Sequence, residues 1–156
     1  MQPQGVRLAW DQVAESVRAE IASAVGSPVV TAENQPGGFS PGVAARCRLA
    51  DGRRCFIKAV SIDQNPDSPR MHRAEAAISA ALPPELPVPE LLHVVDDGHW
   101  VALVFEEVDG HAPKVPWSLD DLRATLATLD AVVAAAVPGR IPDLPSIVEL
   151  HEHAFH

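Results

Sequence analysis

Apolar positions along this chain recur with two different periods. Trp10, Val13, Val17, Ile21 and Val25 fall at helical spacing and Gly26 supplies a stop, which predicts a first helix over roughly Ala9 to Val25. From Val29 the apolar runs shorten. Val29 to Ala32, Val43 to Leu49 and Arg54 to Val60 read as strands, as do Leu91 to Val95 and Trp100 to Glu106 on either side of Asp96-Asp97-Gly98-His99. Between the third and fourth strands, Asn65-Pro66-Asp67-Ser68-Pro69 is turn chemistry. There Ser68 is placed to cap a helix with Pro69 at its first position, running to about Leu82 before Pro83-Pro84. After a connector holding Gly110, Pro113 and Pro116, Ser118 opens a last helix. Its stripe is Leu119, Leu122, Leu126, Leu129, Val133 and Val137, closed by Pro138-Gly139.

This order predicts an α+β fold. A five-stranded antiparallel sheet has one long helix inserted after its third strand, a helix before the sheet and another after it. The expected division is a lobe of residues 1–110, with the first helix inside 1–28, followed by 111–156 as connector, helix and tail. Asp51-Gly52 between apolar runs predicts a two-residue hairpin turn that pairs Ala50 with Arg53. Cys47 then pairs with Phe56 and Cys55 with Arg48, so the two sulfurs point to opposite faces and stay free.

Charge and composition narrow the function classes. Twelve Lys and Arg against 21 Asp and Glu give a net charge of −9, which lacks the basic footprint of a nucleic-acid binder. No run of 18 apolar residues suits a membrane span, and the first residues do not have the basic-then-apolar layout of a secretory signal, so the expected location is the cytoplasm.

The candidate chemistry centres on Lys58. It sits mid-strand in Arg54-Cys55-Phe56-Ile57-Lys58-Ala59-Val60, and the two-residue turn places it on one face with Phe56, Cys47 and Ala45. Two readings stand: an edge-strand lysine facing water, or a cation held for an anion. Glu75 lies at +4 from Met71, on a helix whose apolar positions Met71, Ile78 and Leu82 fall at 0, +7 and +11. That puts its carboxylate on the packing face, where it needs a partner, and Lys58 is the obvious one. The alternative is a solvated Glu75 beside Arg73 or Arg70. Gly37-Gly38-Phe39-Ser40-Pro41-Gly42 is a glycine-rich turn able to bring backbone N–H groups to phosphate oxygens, with the Ser40 hydroxyl as a further donor. At the end of the fifth strand, Glu106 C=O and Val108 N–H can offer an adenine one acceptor and one donor. The Glu106 and Glu107 side chains read as solvated. His151, His153 and His156 read as a frayed terminus rather than a zinc site.

A glycine loop, a strand lysine and a helix glutamate in that order resemble the nucleotide-binding half of the aminoglycoside phosphotransferase family, relatives of choline kinase and protein kinases. The resemblance rests on Gln35 to Gly42, Phe56 to Ser61, His72 to Ala76 and Trp100 to Gly110. It implies a kinase-like amino-terminal lobe that binds ATP. Gly37, Gly38, Ser40 and Gly42 would lie over the phosphates, Phe56 against the adenine, Lys58 and Glu75 at the α- and β-phosphates, and Glu106 and Val108 at the connector. It also implies Mg2+ and a small-molecule acceptor hydroxyl, with their ligands and base in a second lobe. No His-x-Asp-x-x-x-x-Asn segment precedes His156, so the chain is expected to be inactive by itself. It is also expected to self-associate through a cleft face of Ala45, Cys47 and Phe56 and through the last helix's stripe. The alternative is a non-catalytic binding or assembly module that uses the open cleft face for a protein partner.

Overall fold

Five short apolar runs pair edge to edge into a sheet whose three inner strands are largely buried on both faces. The computed structural model describes residues 7–36, 41–110 and 113–135. Its strands are β1 (Val29–Asn34), β2 (Val43–Leu49), β3 (Arg54–Ser61), β4 (Leu91–Asp96) and β5 (Trp100–Glu106). They form one antiparallel sheet in the order β1-β2-β3-β5-β4. Three helices complete the α+β fold: α1 (Glu15–Val25), α2 (Ser68–Ala81) and α3 (Leu119–Ala135). The chain divides into one unit of residues 1–80 and 89–110, and another of residues 81–88 and 111–156.

One face of the sheet is the main core of the first unit. Ala45, Cys47, Cys55, Ile57, Ala59, Ala102 and Val104 lie there against Val17, Ile21 and Val25 of α1. Ile21 and Ile57 have no exposed surface, and burying each contributes about 1.5–3 kcal/mol. Period-two alternation sends Phe56 and Lys58 to the opposite face. There Val101, Leu103 and Phe105 pack against Ala76 of α2, with Phe56 and Leu91 at the margin.

The first helix is shorter than its apolar spacing suggests. A 3-10 turn, Trp10–Gln12, comes first, and extended backbone at Val13 and Ala14 separates it from α1. Val13 stays buried across the break, so the period continues although the helix does not. Gly26 ends α1 in the left-handed conformation at φ 76°, as expected.

The β2–β3 register differs from the two-residue turn. Leu49 N–H donates to Arg53 O at 2.8 Å and Gly52 N–H to Leu49 O at 3.0 Å, leaving Ala50, Asp51 and Gly52 as a three-residue loop. Gly52 takes φ 90°, the left-handed position such loops require. The one-residue shift pairs Cys47 with Cys55 and Arg46 with Phe56. Both sulfurs therefore share the α1 face as buried free thiols, rather than lying on opposite faces. Ala45 and Cys47 likewise belong to the α1 core and not to the face of Lys58, whose neighbours are Ala44 and Leu103.

α2 is capped by Asn65 rather than Ser68. The Asn65 side-chain oxygen accepts from the N–H groups of Asp67 and Ser68 at 2.8 and 3.2 Å, while Ser68 is itself helical and buried. α3 carries no buried residue, and Leu122, Leu126, Leu129 and Val133 are 41% to 65% exposed. Among the described residues no helix is long and apolar enough to cross a membrane.

Gly42 opens β2 at φ 103°, and a Cβ there would lie 2.3 Å from Ala59 O. The β3 backbone thus demands glycine at this position. Gly42→Ala is expected to lower unfolding stability by about 2–4 kcal/mol, read as an earlier urea midpoint with an unchanged slope.

Candidate functional site

The site is built on the sheet face that α1 does not cover. On β3, Arg54, Phe56 and Lys58 alternate onto this face, so two cations flank an aromatic ring. Lys58 rises between Ala44 of β2 and Leu103 of β5. Its Nζ donates to Glu75 Oε2 of α2 at 2.5 Å, with the two side chains 28% and 36% exposed. This is the pairing that the sequence predicts. An ammonium on an apolar surface is held by a carboxylate from the adjoining helix, and the rest of it stays open to solvent. Lysine carries three N–H donors, so Glu75 does not exhaust them.

Glu75 reaches Lys58 from the margin of the helix's buried face and not from its centre. The buried face of α2 is Ser68, Pro69, His72 and Ala76, while Met71 is 63% exposed. The stripe of Met71, Ile78 and Leu82 is therefore not the packing stripe. Small residues and a histidine form the buried face here instead, with Ala76 against Val101, Leu103 and Phe105. The helix is also tied to the β4–β5 hairpin. Arg73 donates through Nε to Asp96 Oδ2 at 2.7 Å and through Nη2 to Asp96 Oδ1 at 2.8 Å. Hydrogen bonding from Arg73 holds the Asp96 carboxyl below its ordinary range.

His72 is a site neighbour that the sequence reading missed. Its ring is buried, with Nδ1 3.0 Å from Ser68 O, one turn back. Burial pushes its pKa below the ordinary value, and the positive charge of Lys58 adds to the effect. The available signal was its spacing: His72 falls four residues after Ser68 and four before Ala76, on one helical stripe.

The connector after β5 is clamped. Glu107 accepts from Arg54 Nε at 3.0 Å and from Arg54 Nη2, and Arg46 Nη1 lies 3.4 Å from its Oε1. Arg46 also donates through Nη2 to Gly110 O at 2.9 Å. The Glu107 side chain is only 5% exposed, so the solvated reading fails for it. Two guanidinium groups on neighbouring strands are the reason. Glu106 is exposed, and its N–H donates to Glu90 O at 2.9 Å. Val108 is exposed and its N–H has no hydrogen-bond partner among the described residues.

Phe56 is half-buried on the Lys58 face, opposite Arg46 and Phe105. Gly42 has the packing reason given above. Gly37, Gly38 and Ser40 lie outside the described residues, as do His151, His153 and His156. Among the described residues no group of three or more His, Cys, Asp or Glu side chains is placed to hold a metal ion. No residue here is therefore assigned to Mg2+.

His72 supplies a pH test. Its folded pKa is depressed, so below an unfolded value of about 6.5 the unfolded chain binds a proton that the folded chain refuses. Stability is complete above that value and falls as pH drops below it. Urea midpoints measured from about pH 7.5 to about pH 5.5 should decline in the wild type and decline less in His72→Asn. Asp96 is shifted in the same direction, and its stabilisation is lost only at lower pH, as its carboxylate, held below the ordinary range by Arg73, takes up a proton.

Neither a family model nor a curated protein matches the chain.

Proposed function

We propose that this chain is a nucleotide-binding lobe of the kinase-like type, taking ATP on the Lys58 face of its sheet. The observation that carries the reading is the Lys58–Glu75 pair across the junction of β3 and α2. A lysine held by a helix carboxylate keeps a fixed direction, and its remaining donors suit the α- and β-phosphates of a nucleoside triphosphate. Phe56, two residues earlier on the same face, supplies a ring for a purine. The Val108 N–H and the Glu106 C=O stand where the chain leaves β5, and the clamp on Glu107 fixes that departure. The glycine-rich segment before Gly42 is assigned to the phosphates on its sequence alone.

Phosphoryl transfer to an acceptor hydroxyl also needs a base and metal ligands. The proposal for this chain is therefore nucleotide binding, and phosphoryl transfer is what the resemblance implies for full-length aminoglycoside-phosphotransferase-like relatives. A second reading is an assembly module that takes a protein partner on the open Lys58 face; the exposed stripe Leu122, Leu126, Leu129 and Val133 on α3 supports the separate expectation of self-association.

Isothermal titration of the chain with ATP tests the first reading. Saturable binding is expected, weakened about tenfold or more by Lys58→Ala and less by Glu75→Gln, with circular dichroism unchanged. Absence of saturable binding, or equal affinity in the wild type and Lys58→Ala, overturns it. Stable association with a protein through the Lys58 face, together with no nucleotide binding, would select the assembly reading.

A further inference from the structure

The β2–β3 hairpin brings its two cysteines together on the face away from Lys58. Cys47 and Cys55 are direct cross-strand partners, both essentially buried at 1% and 2% exposure. The Leu49–Arg53 pair at the turn is hydrogen-bonded, and pairs alternate along an antiparallel ladder. Cys47–Cys55, two steps on, is therefore a hydrogen-bonded pair too, with Cα atoms about 5.5 Å apart. That separation lies inside the range a disulfide bridges without backbone movement, about 4.4–6.8 Å. Cys47 Sγ donates to Ala45 O on its own strand at 3.7 Å, and both thiols are free.

A cavity of about 330 Å³ opens beside this pair. Cys55 contributes to its wall together with Leu49, Arg53, Arg54 and His93, whereas Cys47 does not. The two cysteines are thus inequivalent: Cys55 belongs to the cavity wall and Cys47 does not. The geometry points to Cys47 and Cys55 as a reversible dithiol that closes into an intramolecular disulfide by exchange with a low-molecular-weight disulfide admitted through this cavity.

The exchange balances in two steps. The Cys55 thiolate attacks one sulfur of the incoming disulfide, forming a mixed disulfide and releasing one thiolate, which takes up a proton. The Cys47 thiol then loses its proton to solvent and attacks Cys55 Sγ, expelling the second thiolate, which is protonated in turn. Both cysteines are oxidised, one S–S bond forms in the chain, and the oxidant is reduced to two thiols. The electrostatics favour this order. The contact with Cys47, with Arg53 assisting, holds the Cys55 thiol below its ordinary range against the opposing effect of burial, while the contact with Cys55 and burial push the Cys47 thiol up. Cys55 is therefore the nucleophile and Cys47 the resolving group.

The test exposes the folded full chain to oxidised glutathione without denaturant and follows intact mass and alkylation of free thiols. The wild type is expected to lose two hydrogens and both alkylatable thiols, and to recover them on reduction. Cys47→Ser should stop at one glutathione adduct on Cys55, and Cys55→Ser should take none. Peptide mapping of the wild type at early times should find the adduct on Cys55 first, a readout that needs no variant to fold. Two thiols that stay alkylatable in the folded chain overturn the proposal. So do an adduct on Cys47 ahead of Cys55, bridges only between chains, or closure only in urea.

Discussion

A charged lysine in the middle of an interior strand is the constraint around which the first unit is arranged. β3 lies between β2 and β5, so Lys58 has Ala44 on one side and Leu103 on the other. An ammonium on such a surface loses hydration and needs a counter-charge, and none is available on the neighbouring strands at that level. Glu75 supplies it from α2. The position of α2 is in turn set by the small packing residues Ser68 and Ala76, the buried ring of His72 and the Arg73–Asp96 pair. Because both partners remain about one-third exposed, the pair contributes about 1 kcal/mol or less to stability. Its larger consequence is orientation.

The same strand organises the other end of the face. Arg54, two turns of the pleat before Lys58, reaches Glu107 in the connector, and Arg46 of β2 joins it. β3 thus holds a helix with one cation and the departing chain with another, and Phe56 lies between the two. The opposite face of β3 carries no charge at all: Cys55, Ile57 and Ala59 belong to the core on which α1 packs. Period-two alternation is what separates the two environments. A slip of one residue along β3 would bury two cations in the α1 core.

Much of this was legible from local patterns. The five strands, the inserted helix and the α+β class follow from apolar runs and turn residues, each of which acts over a few positions. The Lys58–Glu75 pair was legible too, although for a partly different reason from the one the structure displays. In the expected stripe Met71 is exposed and Ile78 and Leu82 are only partly buried, and Glu75 works from the edge of a face formed by His72 and Ala76. Long apolar side chains suggest a helix's inward face, but the residues actually buried on α2 are Ser68, Pro69, His72 and Ala76.

What the sequence by itself determined is where chemistry-bearing residues stand along each element, because alternation and helical period are properties of the backbone. What only the tertiary structure decided is which of them meet. An Asp-Gly turn is compatible with loops of two or three residues, and only the completed hairpin, with Gly52 left-handed, put Cys47 opposite Cys55. Glu107 follows the same logic. Nothing local distinguishes it from exposed Glu106, and its burial depends on two arginines 53 and 61 positions earlier in the chain. Contacts between residues so far apart are set by the folding of the whole sheet, which no short window of sequence contains.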